Sequence, residues 1–529
     1  MKKPADRLAL LVIPLLLVAF WLRASDARGP FHLGRNSDPE YCYLFNSLNL
    51  ATLHYPTHTD HPGTTLQELG AAVLLVRFAA GHLGGNLDSL ETAVVRNPEP
   101  ALFAINVVLN FLLIGLLAAL SWRALSLTGS LIPPLALQFS FLACGLLLAA
   151  QTRVSPEPLL VSTVLALALV LAPGVLGSVS DEVLQGHWTA LLAGAILGSG
   201  VITKVTFVPL LLLIFVFPTR KQRVRCAAAA VVSAAVFVLP IVTQLHRVAT
   251  WLLRLATHQG QYGSGPAGLP DVSTYLESLL LLYNAEPFLF WSLAFFVALA
   301  AFWRFGPSLS GETMPSPVRR FLTAGIVTIV ATIVITAKHP AGHYLVPAVA
   351  IVPILGMMLA DRLRRRWRPL AIRVPAAAAG VLLILVGVVF AGERKIENLR
   401  SDRNYQTAVV AQLQEVERHP DCAVVGVYRS SLLSSALALG NDFSGLVHAA
   451  ALEHFYPERI HYNRFTGRFK NWRWVDFNGA VHAFVERGDC LLLQGQTGGT
   501  DLETQYRFET VATSPWEQLV QLHPLPSKF

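Results

Sequence analysis

Val205-Thr-Phe-Val-Pro-Leu-Leu-Leu-Leu-Ile-Phe-Val-Phe-Pro-Thr219-Arg-Lys-Gln-Arg-Val-Arg225 is an apolar run that ends abruptly in a dense basic connector. A second apolar run, rich in Ala and Val, follows at 226–243. Two runs of this kind joined by clustered Arg and Lys read as membrane helices that meet in a cytoplasmic loop, because Lys and Arg are retained on that side. Working outward, further apolar runs lie near 8–22, 99–121, 130–150, 158–176, 188–203, 284–303, 321–337, 343–360 and 370–391. Together they predict about eleven transmembrane helices, with two short helices sharing 188–218. The stretch 66–83 carries Gln67, Glu68, Arg77 and His82 and is expected as an amphipathic helix on the membrane surface.

Composition agrees. The chain has 529 residues, 53% of them hydrophobic and 14% charged, with a mean hydropathy of +0.50. Soluble domains carry roughly a quarter charged residues, so a polytopic helical membrane protein is expected. The formal net charge of +8 does not indicate nucleic acid, since the basic residues gather at span ends rather than along one soluble face. The N-terminal Met1-Lys-Lys and the run to Leu22 resemble a signal peptide, but a retained first anchor suits a multispan chain better.

With Met1-Lys-Lys inside, even-numbered spans end in the cytoplasm. Thr219–Arg225, Arg319-Arg320 and Asp361-Arg-Leu-Arg-Arg-Arg-Trp-Arg368 then all fall inside, as the positive-inside rule requires. The expected organisation is a membrane domain over 1–391, whose first outer loop (23–98) holds amphipathic helices, and an extracytoplasmic α/β domain over 392–529. In the latter, 422–428 and 490–493 read as buried strands, 397–417 as helix, and 430–439 as a helix stopped by Gly440-Asn441. Five cysteines include no CxxC pair; Cys422 and Cys490 are either one disulfide or two isolated thiols.

This topology gathers the polar residues of separate connectors on the outer face. They are Asp38, Glu40, Tyr41, Tyr43 and His61 in the first loop; Arg153 and Glu157; Lys204; His258 and Tyr262; and Lys338, His339, His343 and Tyr344. Ionisable groups beside spans are expensive and mark functional sites. A carboxylate can act as general base toward a hydroxyl, and clustered cations can neutralise a departing phosphate. Each group also has a plainer reading. Asp38 and Glu40 fit the first turn of a helix, Glu157 the start of a span between prolines, and His61-Pro a turn. Lys204 and Lys338 fit snorkelling side chains, and His258 and Tyr262 a long loop.

In the order and sidedness of these motifs the chain resembles the GT-C superfamily of integral-membrane glycosyltransferases, closest to the branch of protein O-mannosyltransferases and lipid A aminoarabinose transferases. The motifs are Asp38-Pro-Glu40, His61-Pro62, Thr152-Arg153-Val-Ser-Pro-Glu157, Gly198 to Lys204, and Lys338-His339 with His343-Tyr344-Leu345-Val-Pro347. The resemblance covers roughly 1–390 and implies an inverting transferase at the outer face of the cell membrane. Such an enzyme takes a sugar from a polyprenyl-phosphate donor to a lipid, glycan or protein acceptor. It implies Asp38 or Glu40 as base, Glu157 as a second acid, and Lys204, Lys338, His339 and Arg153 as donor-phosphate ligands. His61, Tyr41, Tyr43, His258, Tyr262, His343 and Tyr344 would line the substrates. A proline separates the two acids here, which leaves the choice of base open. No cofactor is required by this chemistry, although three outer-face acids leave room for a divalent cation. The rival expectation is a transporter or flippase of a lipid-linked sugar, which would place its charges at mid-membrane in repeated halves.

Overall fold

The structure, a computed structural model, describes residues 8–366 and 403–525, apart from 34–36, 61, 86–87, 178–180, 260–264, 269–271, 306–313, 406, 429, 458 and 499. The expected span at 370–391 lies outside the described residues. The chain falls into two compact units. Met1–Leu22, Thr59–Thr65 and Leu109–Ile396 make up the first, and Arg23–His58, Leu66–Val108 and Glu397–Phe529 the second.

Among the described residues, six helices are long and apolar enough to cross a membrane. These are Thr64–Leu83, Pro98–Thr128, Pro156–Val175, Arg220–Thr257, Ser316–Ala337 and Gly342–Arg365. A seventh candidate is the pair Val272–Ala285 and Pro287–Trp303, bent by 98°. Ile132–Ala143, His187–Thr203 and Val205–Val216 are shorter apolar helices. The run at 130–150 breaks at Cys144, and the run at 188–218 breaks at Lys204, where the backbone turns extended (φ −164°, ψ 138°). The stretch 66–83, expected as a surface helix, forms Thr64–Leu83, whose length and hydropathy alone would also admit a span.

In the first unit, helix His187–Thr203 lies against Arg220–Val238 at close range. A Cβ at Gly194 would collide with the carbonyl of Cys226, and one at Gly198 with that of Ala230. Glycines four apart therefore bring the two backbones together, as small residues do between membrane helices. Residues 361–366 of the basic connector belong to helix Val346–Arg366. Asp361 is buried there and accepts from Arg362 (2.6 Å), Arg364 (3.2 Å) and Arg365 (3.2 Å).

In the second unit the strands form one mixed sheet of six. They are β1 (Ala423–Val427), β2 (His461–Asn463), β3 (Arg468–Lys470), β4 (Leu491–Gly495), β5 (Tyr506–Thr513) and β6 (Gln518–Pro524), in the order β3-β2-β1-β4-β6-β5. β1 runs parallel to both β2 and β4, a parallel centre in keeping with the expected α/β layer. Cys422 and Cys490 form a disulfide (Cα–Cα 4.6 Å), which ties the starts of β1 and β4. Helix Leu433–Phe443 runs through Gly440 instead of stopping there. A Cβ at Gly440 would press on Phe45 and on the Tyr41 carbonyl, so this glycine permits close packing on helix Ser37–Ala51. Asn46 and Asn49 complete the junction by donating to the carbonyls of Phe443 and Ser444, both at 3.0 Å.

Candidate active site

In the first unit, helix Pro156–Val175 opens with proline at its first turn and Glu157 beside it, a position that suits an acid because the free N–H groups point there. The extended break at Lys204 turns that side chain toward Glu157. The Lys204 ammonium donates to Glu157 Oε1 at 2.5 Å, with side chains only 4% and 8% exposed. The same ammonium lies 4.8 Å from the centroid of the Tyr344 ring. His343 meets Tyr344 edge-on at 4.3 Å, and Arg153 lies within electrostatic range of His343. The break is anchored from 59–65: Thr203 and Thr65 hydroxyls share a bond of 2.7 Å, and Gly63 N–H donates to the Ile202 carbonyl at 3.1 Å.

Beside this group a pocket of about 130 Å³ is lined by Thr206, Trp251, Leu255, Ile335, His339 and Tyr344 among others. His339 donates through Nε2 to the Leu255 carbonyl at 3.2 Å. Burial lowers its pKa below the ordinary histidine value, which keeps the ring neutral and leaves buried Nδ1 as an acceptor without a hydrogen-bond partner. Lys338 donates to the Ala256 carbonyl. His258 closes a one-residue bridge with Ala267, while Tyr262 lies outside the described residues.

In the second unit the acidic segment forms the first turn of helix Ser37–Ala51. The Asp38 side chain and all of His61 lie outside the described residues. Glu40 is fully buried and accepts from Arg28 Nη2 at 2.7 Å. Tyr41 donates to Glu99 Oε1 at 2.8 Å; burial, then the Glu99 charge, push its phenol well above the ordinary value. Tyr43 is buried and meets His58 edge-on at 5.1 Å.

The structure thus brings Arg153, Glu157, Lys204, His343 and Tyr344 together, with His339 joined to them through the pocket wall. Sequence reading missed Thr206 and Trp251, which carry no charge to flag them, and the Arg28–Glu40 pair, whose members lie in different segments. It also missed Glu286, which is buried and accepts from Leu146 N–H at 2.9 Å where the helix has broken at Cys144. Among the described residues no three His, Cys, Asp or Glu side chains converge as a metal-ligand set.

No protein-family model and no curated protein matches the sequence. Among solved structures, the chain is similar to that of ArnT from Cupriavidus metallidurans bound to undecaprenyl phosphate. The match has a TM-score of 0.52 and 12% identity, and it covers 97% of each chain. The chain has the ArnT fold. The similarity is one of fold, so the resemblance drawn from the motifs holds at the level of architecture. The apo state of the same ArnT also aligns, at 13% identity and a TM-score of 0.49 over 96% of this chain and 97% of that one. An ArnT-like architecture running the length of the chain accounts for a helical membrane part combined with a small mixed sheet.

Proposed function

We propose that the chain is a glycosyltransferase of the GT-C type that moves a sugar from a polyprenyl-phosphate donor to an acceptor hydroxyl. The observation that carries this reading is the buried Glu157–Lys204 pair, flanked by Tyr344 and His343 and opening beside an apolar pocket. A cation held ready in a low-dielectric site stabilises charge that develops on a leaving phosphate far better than one in water. The ArnT structure of the same fold holds undecaprenyl phosphate, a lipid of the class that the proposed donor would release once its sugar is transferred.

In this mechanism Lys204 and Arg153 take the donor phosphate, with Lys338 and His339 at its margin, and Tyr344 and His343 wall the sugar. Glu157 holds Lys204 in place and orients the acceptor. Asp38 removes the acceptor proton; the freed oxygen attacks the anomeric carbon from the face opposite the phosphate. The sugar–phosphate bond then breaks with inversion, and the polyprenyl phosphate leaves carrying the negative charge. Glu40 suits the base role less well, because it is buried against Arg28. His61, Tyr41, Tyr43, His258 and Tyr262 are assigned to the substrate surroundings, and no divalent cation is given a step.

The Cys422–Cys490 disulfide supports an oxidising compartment for the C-terminal part. The basic clusters at 219–225 and 361–368 support a plasma-membrane orientation with the site outside. The test is transfer of radiolabelled sugar from polyprenyl-phosphate donors in reconstituted vesicles, comparing wild type with Asp38→Asn and Glu40→Gln. Transfer lost in Asp38→Asn alone supports the assignment. Undiminished transfer in both variants removes helix Ser37–Ala51 from the chemistry, and lipid flipping without transfer would favour the transporter.

A further inference from the structure

The C-terminal sheet presents one aromatic residue at an unusual backbone conformation. Trp474 has φ +62°, a left-handed geometry that a bulky side chain rarely adopts and that glycine or asparagine would occupy with less strain. The turn that holds it follows β3 and is closed by its own hydrogen bonds. Asn471 Oδ1 accepts from the amides of Arg473 (3.1 Å) and Val475 (3.0 Å), and Trp474 N–H donates to the Asn471 carbonyl at 3.1 Å. Lys470 and Asp476 close the turn by a bridge.

The indole is also fixed in orientation. Its Nε1–H donates to Asp442, whose other oxygen accepts from Asn463 at 3.3 Å. The Lys470 ammonium lies 3.6 Å from the ring centroid. Lys470 is 7% exposed whereas Trp474 is 39% exposed; one face of the ring is taken by the lysine, and we infer that the opposite, outer face supplies the exposure. Exposed Phe465 and Val475 belong to the same hairpin and turn, and the rim carries the charged pairs Arg473–Glu453 and Arg468–Asp476.

We propose that this outer face of Trp474 is a saccharide-binding subsite of the C-terminal domain, which receives a pyranose of the acceptor. A flat, immobilised ring takes the apolar C–H face of a sugar, and the polar rim takes its hydroxyls. An open indole face edged by hydrogen-bonding and charged side chains fits a sugar better than an extended apolar partner, which needs a wider patch than Trp474, Phe465 and Val475 offer. The inference rests on the transferase reading for the class of its ligand, but not on the Glu157–Lys204 site.

The experiment probes a printed oligosaccharide array with the labelled full-length protein in detergent, with no donor lipid present. Trp474→Gly is the decisive variant, because it removes the indole and relieves the backbone strain together. The expected result is selective binding of at least one saccharide by wild type and a loss of at least tenfold in Trp474→Gly, with its thermal midpoint unchanged or raised. The double variant Lys204→Met with Glu157→Leu, which leaves no unpaired buried charge, is expected to bind the array as wild type does while losing transfer, so that failure of the transferase reading and failure of this subsite separate. No saccharide bound by wild type, or equal binding by Trp474→Gly, overturns the proposal. So does a silent array accompanied by a Trp474→Gly change in oligomeric state by light scattering, which would assign the indole to a protein contact.

Discussion

Replacing Lys204 with methionine tests whether the Glu157–Lys204 pair serves substrate or fold. At 2.5 Å and an effective dielectric near 20, the attraction between the two charges is about 7 kcal/mol. Desolvating each ion costs several kcal/mol, so the intact pair is worth little net relative to apolar residues of the same size. Removing one partner is different, because the other charge stays buried without compensation. With side chains only 4% and 8% exposed, solvent screening does not rescue it, and a loss of about 3–5 kcal/mol is expected for Lys204→Met alone. The double variant Lys204→Met with Glu157→Leu removes both charges and should recover to within about 1 kcal/mol of wild type. Chemical denaturation of the purified protein in detergent, followed by tryptophan fluorescence, gives the three stabilities; donor transfer in vesicles gives the activities. The expected pattern is restored stability with no restored transfer. A double variant as unstable as the single one would mean that the pair is structural and that the phosphate assignment is wrong. Transfer by the double variant would refute it outright.

Further outcomes follow from other contacts. Asp38→Asn should lower transfer by about 10²–10⁴-fold, the usual contribution of a general base, whereas Glu40→Gln should reduce stability more than it reduces turnover. Arg28→Ala should destabilise by about 3–5 kcal/mol, since it strands Glu40 without its cation, and thermal unfolding of matched variants reads the difference. The Cys422–Cys490 bond spans 68 residues, so chain-entropy reasoning gives about 4 kcal/mol lost on reduction. Hydrogen exchange of β1 and β4 with and without reductant measures it. His461 is buried between Tyr428 and Trp472, and burial, then the Lys470 charge, push its pKa from 6.5 down to about 3. The folded state therefore holds fewer protons than the unfolded one below pH 6.5. The stability contributed by the neutral ring is whole above that value and is lost as pH falls toward 3. Amide exchange in the sheet at pH 7 and pH 4.5 should show this loss, and His461→Phe should flatten it.

Much of the architecture was legible because it rests on composition and charge. Apolar runs of membrane length and basic connectors at their ends are one-dimensional signals, and most of the runs became helices. What the sequence hid was pairing across distance. Lys204 and Glu157 each stood out as polar residues beside a span, but nothing over their separation of 47 positions says that they meet. Gly440 read as a stop because glycine disfavours helix; its tertiary role, close approach to Phe45, is invisible locally. β2 and β3 are three residues each, too short to show alternation, and β5 is largely exposed, so none offered a buried period.

The breaks in the helices carry the stronger lesson. In hydrocarbon an unpaired backbone amide is expensive, so a helix is interrupted only where something else satisfies the freed groups. At Cys144 that partner includes the Glu286 carboxylate, which accepts from Leu146 N–H and itself sits at the 98° bend between Val272–Ala285 and Pro287–Trp303. At Lys204 the break is secured by Gly63 and Thr65, and the residue it releases is the lysine of the candidate site. At Lys338-His339 the chain leaves helix Ser316–Ala337 and bonds the last carbonyls of helix Leu245–Thr257. The polar residues that interrupt the apolar runs are therefore both the reason the helices stop and the groups available for chemistry. Substituting Lys204 by leucine together with Glu157→Leu should leave the extended break in place, because Gly63 and Thr65 hold it independently of charge. Cysteine accessibility at Thr206 that matched wild type would support that separation of roles, and a buried, unreactive cysteine there would show that the ion pair itself keeps the helix open.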